Sequence, residues 1–297
     1  MFPPFLKNNS QIRIVSPAGA IDAQWIDGAT KVLSAWGLHV TEGQFARGSY
    51  GRFAGTPQER IADLQTALDD NNVNAILCSR GGYGLAQIID SIDFSAFSKN
   101  PKWLIGFSDI TILHNAISRL GIASIHGIMA KHLTEQTFSA DPVMYLKNIL
   151  FGNLPKYNID TQALNRTGKA QAEIIGGNLS VLCGMRGTAF DLDFANKILF
   201  IEDIGEKPYQ VDRMIQNLRI SGVLASLSGL IVGQFSEYEE DESMHQTMYE
   251  IIATAVSNYD YPVCFNFPAG HVAYNLPLIL GKTVSFEVNE TKTVLEY

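Results

Sequence analysis

Trp103-Leu104-Ile105-Gly106-Phe107-Ser108-Asp109 is the stretch from which the fold is read. Its apolar run is strand-length and closes on a serine, and the segment beyond it, to about Leu120, has helical apolar spacing. A buried strand therefore hands over to a helix at Ser108. The same order recurs upstream. Ile12 to Val15 is closed by Ser-Pro-Ala-Gly and followed by a helix from about Ala23 to Trp36, and Ala75-Ile76-Leu77-Cys78 ends in a glycine-rich turn. Between them, Thr56-Pro57-Gln58-Glu59 supplies an N-cap, a first-turn proline and a capping-box acid, ahead of Ile61, Leu64 and Leu68 at helical spacing. Strands alternating with helices predict a parallel sheet.

A short strand at Ala123 to Ile125 and a capped helix from Asp141-Pro142 to Leu150 continue the pattern to Gly152. Residues 153 to 169 are polar, carry Pro155 and Gly168, and read as a linker. The expected division is 1–165 for an N-terminal α/β domain with a doubly wound parallel sheet, and 166–297 for a strand-rich α/β C-terminal domain. Strands are expected in the latter at Lys197 to Ile201, Leu227 to Val232, Pro262 to Phe267, Thr283 to Val288 and Thr293 to Tyr297, with a helix from about Glu242 to Ser257.

Composition narrows the function classes. The 297 residues are 46% hydrophobic and 18% charged with no apolar run near the roughly 20 needed to cross a bilayer, so a membrane partner is not expected. A net charge of -8 lacks the positive footprint of phosphate-backbone binding, which argues against nucleic acid. The sequence starts without a basic leader and apolar stretch, which predicts a cytoplasmic protein. Cys78, Cys183 and Cys264 stand far apart in apolar segments and imply no disulfide. With no His-Glu-x-x-His or comparable spacing either, neither a metal nor another cofactor is expected.

Four loops carry residues with chemistry. Ser108 stands at a strand's carboxyl end, where a helix N-terminus favours developing negative charge and the Asp109 N–H can donate to an oxyanion; the same serine also fits a plain N-cap, and a second glycine of G-x-S-x-G is lacking. Arg80-Gly81-Gly82-Tyr83-Gly84 is a turn whose amides can approach a ligand, or an ordinary tight turn. It is not a dinucleotide fingerprint, since Gln87 stands where the third glycine belongs and no acid ends the next strand. Glu202 and Asp203 close an apolar strand, with Glu206 shortly after. They can orient a base or hold magnesium, or lie exposed and cap the next helix. His271, in Pro268-Ala269-Gly270-His271, is the histidine best placed as a base; His126 ranks second and His114 fits packing within its helix. Serine, acid and histidine, each just past a strand, supply the parts of an acyl-transfer site.

These segments together resemble the LD-carboxypeptidase family of serine peptidases. The motifs that carry the resemblance span nearly the whole chain: Ser16-Pro17-Ala18, Arg80 to Gly84, Gly106 to Asp109, His126-Gly127, Gly176-Gly177-Asn178-Leu179, Glu202-Asp203 through Pro208-Tyr209 to Asp212-Arg213, and Pro268 to His271. The resemblance implies Ser108 as nucleophile, His271 as general base and Glu202 as the acid that orients it, with an oxyanion hole from the backbone N–H groups of Gly82 and Asp109. It further implies an active site in an interdomain cleft, a homodimer, and release of terminal D-alanine from murein tetrapeptides in cell-wall recycling. Arg80, Tyr83 and Asn178 within the matching motifs are candidates for binding substrate. A sister branch, the microcin immunity peptidases, resembles this chain less, because its glycine turn lacks the Arg-Gly-Gly-Tyr-Gly pattern. Ile128 departs from the proline that commonly follows the family's His-Gly segment. The competing reading from another class is a non-catalytic α/β protein that binds a small ligand.

Overall fold

The computed structural model describes residues 1–134 and 140–297. The chain divides into two compact units, Met1–Asn153 with Ala273–Ile279, and Leu154–Val272 with Leu280–Tyr297. The strands, in chain order, are β1 (Gln11–Val15), β2 (His39–Glu42), β3 (Val73–Cys78), β4 (Trp103–Gly106), β5 (Ser124–His126), β6 (Lys156–Asp160), β7 (Gly168–Asn178), β8 (Ile198–Ile204), β9 (Gly229–Ser236), β10 (Val263–Cys264), β11 (Leu278–Leu280), β12 (Thr283–Val288) and β13 (Lys292–Glu296).

In the first unit the sheet order is β11-β5-β4-β3-β1-β2, and β2, β1, β3, β4 and β5 pair in parallel. This is the expected α/β sheet. Its strands read as continuous apolar runs because they are buried: no residue of β4 is exposed, and β3 exposes only Asn74. The helices between them start where the sequence places caps. Thr56 and Glu59 exchange capping-box hydrogen bonds at the head of Pro57–Asp69, and Asp22 caps Ala23–Ala35. The strand order reverses between β1 and β3, so the loops leaving these two strands flank the crevice where ligands of such sheets bind.

The second unit holds a sheet of order β10-β9-β8-β7-β12-β13-β6. One half is parallel, β7 to β10, and the other is antiparallel, in the order β7, β12, β13 and β6. Period-two alternation sorts the two faces. Leu199 and Ile201 of β8 join Ile175, Leu230 and Val232 in a core covered by Val211, Ile215 and Leu218 of the helix Pro208–Ile220, each such buried side chain contributing roughly 1.5–3 kcal/mol. Phe200 and Glu202 therefore lie on the opposite side of β8.

Three expectations are corrected. The stretch read as a linker contains β6 and the start of β7; β6 is an edge strand whose exposed Lys156 and Asn158 alternate with buried Tyr157, which is why its composition looks like a loop. The helix expected from Glu242 begins only at Met248. A short 3₁₀ turn at Glu242–Met244 ends at His245, which has φ +56°, and the capping box of Thr247 and Glu250 then starts Met248–Ala255. The strand expected over Pro262 to Phe267 is confined to Val263–Cys264, followed by Asn266 at φ +59°.

Candidate active site

In the first unit the chemistry gathers at the carboxyl ends of β1, β3 and β4. Ser108 follows Phe107 with φ +67°, a left-handed conformation that costs a side-chain-bearing residue energy and is characteristic of a nucleophile set on a sharp strand-to-helix turn. A 3₁₀ turn, Ser108–Ile110, leads into the helix Thr111–Arg119. Beside it lies the glycine turn. A Cβ on Gly81 would stand 2.7 Å from Ser108 Cβ and 3.0 Å from its Oγ, so only glycine fits there. Gly82, with φ +94°, lies instead against Gly19.

Two charged groups hold the turn in place. Asp109, directly after the serine and 3% exposed, accepts a hydrogen bond from the Leu85 N–H at 2.9 Å. Burial pushes its carboxyl pKa up, against the backbone donors and the nearby Arg60. Arg60, 1% exposed, donates to the carbonyls of Pro17, Gly55 and Gly84 and to Gln87 Oε1 at 2.8–3.2 Å, joining the β1 loop to the end of the glycine turn. Its burial draws its pKa down while Asp109 opposes the fall. The Gly19 N–H closes the arrangement on the Gly81 carbonyl at 2.9 Å. Arg80, Gly82 and Tyr83 share the lining of one cavity with Gly19, Ala20 and Arg52.

In the second unit Glu202 and His271 are brought together. Glu202 lies in β8 with no solvent exposure, and its Oε2 is 2.7 Å from His271 Nδ1. A register shift between Ile201↔Val232 and Asp203↔Phe235 places Gly233 and Gln234 of β9 opposite Glu202, a bulge of the kind that re-aims side chains. Gly270, at φ +131°, passes so close that a Cβ there would stand 3.0 Å from both Glu202 Cβ and Oε2. Burial lowers the imidazole pKa, but the Glu202 charge and hydrogen bond, with Asp203 and Glu237 adding to them, outweigh it and raise the pKa above its ordinary value. A bond through Nδ1 fixes the orientation of the ring.

Asp203 is equally sequestered, so the reading of the two acids as exposed loop residues is set aside. Burial and the neighbouring Glu202 push Asp203 up to about 6. The Asn178 Nδ2 and the Ser180 N–H each donate to it at 2.8 Å, while Asn178 Oδ1 accepts from the Val181 N–H and so caps the helix Leu179–Gly184. His114 is a packing residue: its ring nitrogens meet Ser124 Oγ and the Gly106 carbonyl, and burial takes its pKa down to about 4. Sequence reasoning missed Arg60, Arg52 and the carboxylate role of Asp109. Only the last had a signal, its place beside Ser108. Among the described residues no group of three or more His, Cys, Asp or Glu side chains is placed to hold a metal ion, and no helix is long and apolar enough to cross a membrane.

The family model for the LD-carboxypeptidase N-terminal domain matches residues 12–127, and that for the LD-carboxypeptidase C-terminal domain matches residues 171–286. The chain belongs to the LD-carboxypeptidase family. A protein of Bacillus subtilis (strain 168) named "Probable murein peptide carboxypeptidase" is 33% identical, over 99% of this chain and 94% of its own length. The murein tetrapeptide carboxypeptidase of Pseudomonas aeruginosa (strain PAO1) is 29% identical, over 96% of this chain and 95% of its own. The crystal structure of muramoyltetrapeptide carboxypeptidase from Oxalobacter formigenes superposes with a TM-score of 0.89 at 27% identity, covering 96% of this chain and 97% of that one. As a member of the LD-carboxypeptidase family the protein is a hydrolase with the two-domain α/β architecture. The glycine turn and Ser108 fall within the first matched region, and Asn178, Glu202 and His271 within the second.

Proposed function

We propose that the protein hydrolyses the peptide bond between the L-centre of a diamino acid and the terminal D-alanine of murein tetrapeptides, with Ser108, His271 and Glu202 as its triad. Within the molecule, the observation that carries this reading is the buried Glu202 carboxylate held 2.7 Å from His271 Nδ1. A carboxylate so placed can set the tautomer of the imidazole and stabilise the imidazolium. The left-handed backbone at Ser108 supports it as the nucleophile.

In the proposed sequence Ser108 Oγ attacks the scissile carbonyl as its proton passes to His271 Nε2. The oxyanion is met by the N–H groups of Gly82 and Asp109. Collapse expels D-alanine, whose nitrogen takes the proton from His271. Water, deprotonated by the same imidazole, then hydrolyses the acyl-enzyme and restores Ser108. The family resemblance supports a cytoplasmic homodimer acting in cell-wall recycling.

The test is mass spectrometry of L-Ala-D-Glu-meso-diaminopimelate-D-Ala incubated with the protein, with Ser108→Ala, and in parallel with an all-L analogue. D-alanine released by the parent alone, from the natural peptide alone, is the expected result. Equal release by Ser108→Ala overturns the nucleophile. No release from either peptide overturns the substrate and sends the search to aminoacyl-nucleotide compounds and then to a binding role.

A further inference from the structure

The triad leaves a cavity of about 460 Å³ in the first unit unused. Its floor is backbone, at Gly19 and Gly82, and its walls carry Arg52, Arg80 and Tyr83. It adjoins the nucleophile, because Gly81, in contact with the Ser108 side chain, precedes Gly82. No acidic residue lines it, and among the described residues no carboxylate pairs with either guanidinium, although acids outnumber bases in the chain by 30 to 22. Arg13, Arg47 and Arg186 all have such partners.

Both arginines are tied to one residue, Ala20. Arg80 donates to the Ala20 carbonyl at 2.7 Å, and the Ala20 N–H donates to the Arg52 carbonyl at 3.0 Å. The Arg52 guanidinium also lies 5.9 Å from the centre of the Tyr83 ring, within cation–π range. The Arg80 fork is thus held by a hydrogen bond and the Arg52 fork by the Tyr83 ring, and their remaining N–H donors have no partner among the described residues. A guanidinium fork matches a carboxylate in two parallel hydrogen bonds, and ordering it in advance lowers the cost of binding. The volume is that of a small-molecule pocket.

We propose that Arg52 and Arg80 form a subsite that recognises a free carboxylate of the peptide substrate. The inference rests on the murein reading above. Three carboxylates of such a peptide fit this chemistry, that of the terminal D-alanine, that on the side chain of diaminopimelate and the one that D-glutamate leaves free.

The test measures binding rather than turnover, by calorimetry in the Ser108→Ala background. The ligands are L-Ala-D-Glu-meso-diaminopimelate-D-Ala, its C-terminal alaninamide, its lysine counterpart, and its counterpart in which the free D-glutamate carboxyl is an amide. Arg52→Gln and Arg80→Gln are each expected to weaken the first peptide about tenfold or more, with the thermal midpoint unchanged because both side chains are exposed. On the peptide lacking the recognised carboxylate the same substitutions should have no further effect. Cancellation on the alaninamide assigns the terminal carboxylate, cancellation on the lysine peptide assigns the diaminopimelate side chain, and cancellation on the D-glutamate amide assigns that residue's carboxylate. Equal losses on all four ligands, or no loss on any, overturn the subsite while leaving the murein reading in place. If none of the peptides binds even with both arginines present, the murein reading falls and the subsite with it.

Discussion

Replacing Ser108 with glycine should make the chain more stable while abolishing its activity. At φ +67° a residue with a Cβ bears a steric cost of about 1–2 kcal/mol that glycine escapes. Glycine in turn loses more freedom on folding, about 0.5–1 kcal/mol relative to alanine. The difference leaves Ser108→Gly ahead of Ser108→Ala by roughly 0.5–1 kcal/mol. Alanine keeps the Cβ and with it the strain, so it should match the parent to within about 0.5 kcal/mol. In a chain of this size the gap corresponds to a rise of roughly 1–4 °C in thermal midpoint. Thermal and urea denaturation of the parent and both variants, alongside D-alanine release, make the comparison. Alanine and glycine variants of equal stability, or a glycine variant less stable than alanine, would refute the claim that strain is stored at Ser108.

Glu202→Gln should retain the fold yet lower kcat by about 10⁴, since an amide cannot stabilise the imidazolium; circular dichroism and steady-state kinetics check this, and a loss below tenfold removes the orienting role. Because the His271 pKa is raised, kcat/KM should fall on acidification with a midpoint above the ordinary imidazole value of 6.5, and in Glu202→Gln that midpoint should move down. The same raised pKa stabilises the folded chain fully below the unfolded value near 6.5 and ceases to do so as pH rises through the folded value, so neutralising His271 with His271→Gln should flatten this part of the stability profile. Gly270→Ala should cost about 1–3 kcal/mol and most of the activity, since its Cβ meets Glu202 at 3.0 Å and the backbone there has φ +131°; a fully active, equally stable variant would show that Glu202 has room to move.

How much of this was legible in the sequence depended on whether a signal is local. The capping box at Thr56 and Glu59 is written in four consecutive residues and formed as read. The junction at Ser108 was visible as an apolar run ending in a polar pair, but its positive φ was not, because serine carries no mark of a left-handed backbone. β6 was hidden by its edge position, where one row of side chains faces solvent. β11 has only three residues after Pro277, too few to show a period. Arg60 is hardest of all: in a helix beginning Pro57-Gln58-Glu59-Arg60 it reads as a solvated charge, and its carbonyl partners at Pro17 and Gly84 are far off in sequence. The close pairing of Glu202 with His271, 69 residues apart, was reached through resemblance rather than spacing.

The late segment Ala273–Ile279, which belongs to the unit formed by the first 153 residues, bears on how the protein is made. β5 is complete once residue 126 is translated, but its outer neighbour, β11, ends only at residue 280. At roughly 5–20 residues per second the ribosome needs about 8–30 s to bridge that interval. Throughout it, the nascent sheet carries an open edge able to pair with another chain. The sheet of the first unit is therefore completed only after most of the second unit has been translated.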